Sequence, residues 1–218
     1  MTKGLFEGVL KFRILIATVG FRASLLFIFW RVWRMISNSQ GVEATKTKSP
    51  FKTKISIVMP VYEVDARLLN ECIQSVLSQT YINWELCICS DISVALEVRN
   101  VLKKYRGIDD RIRVVFLSEP ESICVVSNIA AEQATGTFIA YLRCFEVLDL
   151  NLIGAIADAL SKHPEKDFLC LDDSSLKLNF KPISEYGGLL ASKQSPRLQV
   201  IRKKIFWNMN GFSEGCGK

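Results

Sequence analysis

Short apolar runs alternate with helical stripes along most of this chain. Ile55, Ile57, Val58 and Val61 make a run rich in β-branched residues, the composition of a buried strand. Pro60 has no N–H for a sheet ladder, so the strand is expected to end there. Asp65 suits a helix N-cap. Beyond it, Leu68, Leu69, Cys72, Ile73, Val76 and Leu77 recur at helical spacing and line one face. A second buried run, Trp84 to Cys89, stops at Ser90-Asp91. Strand, helix and strand in this order form a βαβ unit, whose right-handed crossover makes the strands parallel.

The rhythm continues. Val98, Val101, Leu102 and Tyr105 fall at helical intervals, and Ile112 to Leu117 reads as a third strand. Ser118-Glu119-Pro120-Glu121 is a turn. Ile123, Val126, Ala130 and Ala134 mark a third helix ending by Gly136, and Thr137 to Leu142 a fourth strand. Leu152, Ile153, Ile156, Ala157 and Leu160 predict a fourth helix capped by Asp149, with a fifth strand at Phe168 to Leu171. This alternation predicts an α/β fold: a mostly parallel central sheet with helices on both faces, a three-layer sandwich.

The start of the chain is different. Residues 5–36 are apolar and aromatic but studded with Lys11, Arg13, Arg22, Arg31 and Arg34. From Ile14 to Trp30 only Arg22 interrupts a largely apolar stretch, somewhat short of the ~20 residues that a spanning helix needs. A central Arg is costly in hydrocarbon. The pattern favours a helix at the membrane interface, with Phe27, Phe29, Trp30 and Trp33 among the headgroups and basic heads snorkelling. A spanning helix, or a helix packed on protein, are the alternatives. Residues 37–53, with Gly41 and Pro50, read as a linker. The expected organisation is a membrane-associated helical segment over 1–36, a linker over 37–53 and an α/β domain over 54–218.

Composition changes this picture little. A hydrophobic content of 49% and a charged content of 23% are those of a globular protein. The net charge of +6 is concentrated at the start: residues 1–54 carry ten Lys or Arg against Glu7 and Glu43, and the remainder carries eighteen against twenty acids. The main domain therefore has no basic character, which argues against a nucleic-acid binder. Seven cysteines with no CxxC spacing and no cleavable signal suggest a reducing compartment. His163, the one histidine, precedes Pro164 in a turn and is expected to be solvated.

Three blocks carry a family likeness: Ser56-Ile57-Val58-Met59-Pro60-Val61-Tyr62, then Ser75-Val76-Leu77-Ser78-Gln79-Thr80-Tyr81, then Asn83-Trp84-Glu85-Leu86. In this order and spacing they resemble the opening of family 2 glycosyltransferases. The likeness runs on through Asp109 to Val115, Ser127-Asn128, Ala134-Thr135-Gly136, Phe180-Lys181-Pro182, Ile201-Arg202-Lys203 and Gly211-Phe212. It implies a nucleotide-diphospho-sugar transferase fold of the A type, and transfer of sugar from a nucleotide-sugar to a cell-surface polysaccharide or glycan.

The resemblance also places the site. Ligands of open parallel sheets bind beyond the carboxyl ends of the strands. On this chain those ends are Pro60-Val61-Tyr62, Asp91 and the stretch from Arg143. The family implies a nucleotide-binding role for Pro60, Val61, Tyr62, Asp91 and Asn128, with Asp91 accepting from the uracil ring. As an alternative, Asp91 caps the next helix. Asp172 and Asp173 match an acidic pair on the acceptor side, or else form a strand-end turn.

Other parts depart from the family. The Asp-x-Asp that holds Mg²⁺ or Mn²⁺ on the diphosphate is Arg143-Cys144-Phe145 here, and Phe145 cannot ligate while Arg143 repels a cation. Glu146 is one place too far along. Arg143 is left as a direct phosphate ligand. The glycine pair before the third helix is Glu121-Ser122, and the sequence stops at Lys218, short of the segment where the family keeps its base. The expectation is a degenerate, truncated relative with impaired catalysis and no catalytic residue assigned. Mg²⁺ or Mn²⁺ binding should be lost, UDP-sugar binding weak or absent, and the protein held at the cytoplasmic face of the membrane. The alternative is a non-catalytic interaction protein on the same fold, or an inactive fragment.

Overall fold

The computed structural model describes residues 53–171, 178–182 and 198–212. The segment over 5–36, most of the linker and the Asp172-Asp173 pair lie outside them. Among the described residues one sheet has seven strands: β1 (Ile55–Val61), β2 (Trp84–Ser90), β3 (Ile112–Phe116), β4 (Phe138–Tyr141), β5 (Phe168–Leu171), β6 (Leu178–Phe180) and β7 (Leu198–Arg202), in the order β3-β2-β1-β4-β7-β5-β6. The helices are α1 (Ala66–Leu77), α2 (Leu96–Arg106), α3 (Ile123–Glu132), α4 (Leu152–Lys162) and α5 (Lys203–Asn208).

The first four strands pair in parallel, as the crossovers require. β7 then enters antiparallel between β4 and β5, and β6 pairs antiparallel with β5. β1 to β5 therefore run one way and β6 and β7 the other, so the sheet is mixed at this side. Neither β6 nor β7 is predicted above, because each is short and lacks a strong alternating pattern.

Alternation along β1 divides the core in two. Ile55, Ile57, Met59 and Val61 face α1, α2 and α4, packing with Leu69, Ile73, Leu102 and Ile156. Val58 faces the opposite way, with Cys87, Cys89, Ile139 and Phe168, against Val126 and Ala130 of α3 and Phe206 of α5. Cys87 and Cys89 act as small apolar residues on one face, as their spacing suggests.

Several local expectations are revised. β1 does not stop at Pro60 but runs to Val61. Val58 O accepts from Leu142 N on the β4 side, and Pro60 shares the parity of Val58. Its missing donor thus faces beyond the last β1–β4 pair, Val58 with Tyr141, where no ladder bond is lost. Asp65 does cap α1, accepting from Arg67 N and Leu68 N. The N-cap of α4, however, is Asn151 rather than Asp149, and it makes no side-chain capping bond. Asp149 acts through its backbone oxygen, which accepts from Leu152 N and from the Gln79 amide.

That Gln79 contact explains one of the sequence blocks. Buried Gln79 also accepts from Ile153 N, while Thr80 Oγ1 donates to Asn151 Oδ1 and Tyr81 OH to Thr53 O. The Ser75–Tyr81 block docks the end of α1 onto the start of α4.

A second block anchors the amino ends of the strands. The buried Glu85 carboxylate accepts from Ser56 Oγ at 2.7 Å, from the Thr135 and Gly136 main-chain N–H groups and from the Thr135 hydroxyl, and pairs with Lys54 at 2.8 Å. Burial alone raises its pKa, but the bonds from Lys54, Ser56 and Thr135 outweigh this and hold it at about 2. A Cβ at Gly136 would stand 2.6 Å from Lys54 O, so only glycine fits there.

Candidate functional site

The carboxyl ends of β1, β2 and β4 lie side by side, and the chain leaves each through a loop carrying polar groups. The β1–β2 register ends with Val61 against Ser90, which places Tyr62 and Asp91 next in line on neighbouring strands. On the other side, Val58 against Tyr141 extends to Pro60 beside Arg143. Tyr62, Asp91 and Arg143, predicted from three separate stretches, thus share one edge. Pro60 and Val61 are buried and offer that edge their main chain rather than their side chains.

Asp91 is almost wholly buried. One carboxylate oxygen accepts from Ser93 N at 2.9 Å and Ser93 Oγ at 2.6 Å, and the other from Glu121 N at 3.0 Å. Burial raises its pKa, but the bonds from Ser93 and Glu121 and the charge of Arg99 outweigh it and keep the carboxyl below its ordinary range. The capping alternative fails: the N-cap of α2 is Ala95, without a side-chain bond. Asp91 instead ties the loop after β2 to the loop before α3. A carboxylate has about four lone-pair positions, and these bonds use three.

Tyr62 is half-buried. Burial raises its phenol pKa, Cys144 and Glu146 add to the rise and Arg143 opposes it, so the group is a neutral hydroxyl beside that cluster. Cys144 is fully buried, with its thiol pushed up to about 11 by burial.

Arg143 and Glu146 define the β4 end. Both Nε, at 2.9 Å, and Nη2 of Arg143 donate to Glu146 Oε1, and the guanidinium lies 5.4 Å from the centre of the Phe145 ring. The Glu146 side chain is 8% exposed and that of Arg143 29%. Sequence reasoning named the two residues separately and missed their pairing, although opposite charges three apart in a tight turn are a readable signal. A divalent ion does not fit here. Its first ligand position holds a cation, its second a ring, and the nearby carboxylate is engaged by Arg143. Among the described residues no group of three or more His, Cys, Asp or Glu is placed to hold a metal.

Asn128 stands apart from this edge in its bonding. Its Nδ2 donates to Phe212 O at 3.0 Å and its Oδ1 accepts from Phe212 N at 2.9 Å. Phe212 in turn packs on Phe206 and Tyr141. The Ser127-Asn128 and Gly211-Phe212 blocks therefore recognise each other. His163, as expected, is exposed, with its ring against Phe180. No helix among the described residues is long and apolar enough to cross a membrane.

Comparison with known proteins agrees with the fold. The chain is 38% identical over 168 residues to the uncharacterized protein y4gI of Sinorhizobium fredii, covering 74% of this chain and 18% of that one. It is 27% identical over 187 residues to the O-antigen biosynthesis protein RfbC of Myxococcus xanthus, covering 83% and 14%. The chain thus spans under a fifth of the length of these relatives. The mannosyltransferase PcManGT of Pyrobaculum calidifontis, solved in complex with GDP-Man and Mn²⁺, superposes with a TM-score of 0.56 at 15% identity, covering 86% of this chain and 55% of that one. The model of the family described as glycosyl transferase family 2 matches residues 56–164, half of the sequence, from the first block of β1 to the end of α4. With its motifs, its strand order and that match in agreement, the chain belongs to glycosyl transferase family 2.

Proposed function

We propose that this chain is the donor-binding domain of a glycosyltransferase that serves a polysaccharide or glycan acceptor, and that it takes a UDP-sugar at the carboxyl ends of β1, β2 and β4. The observation that carries the reading is the convergence of Tyr62, Asp91 and Arg143 on that edge, with the Asp91 carboxylate held by three donors and one acceptor position remaining for a uracil N–H. The relatives support the acceptor class: one is named for O-antigen biosynthesis. The neighbour with GDP-Man supports a nucleotide-sugar at this fold. Asn128 contributes by fixing Phe212, and the likeness to the family assigns Asp172 and Asp173 to the acceptor.

Metal-assisted turnover is impaired on this reading. As a sugar leaves a diphosphate, negative charge develops that a metal ordinarily stabilises by several kcal/mol. The ion pair of Arg143 with Glu146 occupies that place and favours a second reading, a non-catalytic relative acting through contacts with a membrane or another protein. The aromatic, basic residues 5–36 hold the chain at the cytoplasmic membrane surface in either case.

Calorimetric titration of the full chain with UDP-sugars tests donor binding. Measurable binding that Asp91→Asn weakens about tenfold supports it, as loss of a hydrogen bond to a charged acceptor would. No binding by the unmodified chain overturns it. Sugar transfer clearly above hydrolysis in buffer would reject the impaired and non-catalytic readings together.

A further inference from the structure

We infer that Arg143 takes the place of the metal ion: the chain binds the diphosphate of a nucleoside diphosphate directly through this guanidinium, without a divalent cation. The inference rests on the donor-binding reading and deepens it.

Arg143 is two residues beyond β4, in register with Pro60 and beside the Tyr62 hydroxyl, on the edge where Asp91 marks the base side. A guanidinium presents a planar fork that matches phosphate oxygens in pairs, which neither a lysine nor an isolated backbone N–H does. The side chain is also fixed in advance. Nε and Nη2 converge on a single Glu146 oxygen, and the Phe145 ring lies within reach of the cation's face.

The burial of the partners is unequal. Glu146 is nearly sealed at 8% exposure, whereas 29% of the Arg143 side chain reaches solvent. The acid is therefore the anchor and the base the presented group. Glu146 balances the charge of the guanidinium while no diphosphate is bound. Glu146 is a positioning residue on this account.

The chemistry of the remaining groups agrees. Ser93 and Glu121 already take three acceptor positions of Asp91, and no group of acids among the described residues gathers to compete for an ion. The positive charge of Arg143 would repel a divalent ion brought by the nucleotide.

The test compares uridine with UDP, and guanosine with GDP, on the full 218-residue chain, each with a chelator and with Mn²⁺. The expected result is that one diphosphate binds about tenfold or more tightly than its nucleoside, as charge-assisted bonds to phosphate warrant, and that chelator leaves this ratio unchanged. The double variant Arg143→Gln with Glu146→Gln removes both charges without stranding a buried one. It should bring the ratio close to one while nucleoside affinity holds. Arg143→Lys, which keeps the charge but not the fork, should fall between.

A diphosphate preference that disappears with chelator, or that survives in the double variant, overturns the inference. If nucleosides bind but diphosphates gain nothing, the inference falls while the donor-binding reading stands. If neither nucleosides nor diphosphates bind, both fall together.

Discussion

The Asn128 amide and the Phe212 main chain hold each other by two hydrogen bonds in opposite senses, 84 residues apart in sequence. A side-chain amide that pairs with the main chain in this way ties the turn down at both its N–H and its C=O. The turn also depends on Gly211, whose φ of +68° is a left-handed conformation and whose Cβ, if present, would stand 2.5 Å from Asn128 Oδ1.

Asn128→Ala should therefore lower stability by about 1–3 kcal/mol, since it strands both Phe212 groups. Gly211→Ala should do similar damage. Combining them should cost less than the sum, because the methyl no longer meets Asn128. Denaturant unfolding of the two single variants and the double variant checks this; strict additivity would show that the sites are independent.

Acid should unfasten the amino ends of the strands. Glu85 has a folded pKa of about 2 against an ordinary value of 4.5. Its stabilisation is complete above the ordinary value and is lost as pH falls towards about 2. At neutral pH the contribution is up to about 3 kcal/mol. Stability measured from pH 6 to pH 2 should fall less steeply in Glu85→Gln than in the parent chain.

Two glycines should respond oppositely to alanine. A methyl at Gly136 meets the Lys54 carbonyl, which is backbone and cannot swing aside, so Gly136→Ala should lose about 1–3 kcal/mol and several degrees of Tm. At Gly107 nothing lies within 4 Å of the added carbon, and φ is −102°. Gly107→Ala should leave Tm unchanged or raise it slightly. Thermal unfolding of the pair is the measurement.

Restoring two acids should restore a metal. Arg143→Asp with Phe145→Asp removes the repelling cation and releases Glu146 beside two new carboxylates, a hard-oxygen set suited to Mn²⁺. UDP binding by this variant should become Mn²⁺-dependent. Titrations with and without the ion decide it, and equal affinities would mean that the surrounding edge cannot accept an ion at all.

A chain starting at residue 45 should leave the membrane fraction, if residues 5–36 are the anchor. Cell fractionation against the full chain reads this directly. Equal membrane content in the two would place the attachment elsewhere.

Much of this was legible in the sequence because packing and periodicity coincide. Most residues of the stripes that predict α1, α2 and α4 are buried in or packed against the larger core, and the parallel order of β1 to β4 follows from crossover handedness. Asp91, Tyr62 and Arg143 could be placed on one edge because strand ends can be counted along the chain; the role given to them comes from the family likeness. What escaped was contact between distant or oddly oriented groups. The donation of Glu121 N to Asp91 crosses 30 residues and leaves no pattern. The role of Glu85 is invisible because a lone acid in an apolar run does not name its partners. The position of β7 depends on a reversal of direction that a short apolar run cannot announce.

That reversal has a consequence for how the protein is made. Among the described residues β5 is joined to β1–β4 in the sheet only through β7, which is synthesised about thirty residues later. As the nascent chain leaves the ribosome, β1 to β4 can close on their helices, yet β4 keeps one edge of unpaired N–H and C=O groups and β5 has no neighbour on that side. The sheet can be completed only when Leu198 to Arg202 has emerged to slip between them. An interrupted chain ending before this point would present an open apolar edge to its own copies, the usual starting point for edge-to-edge aggregation.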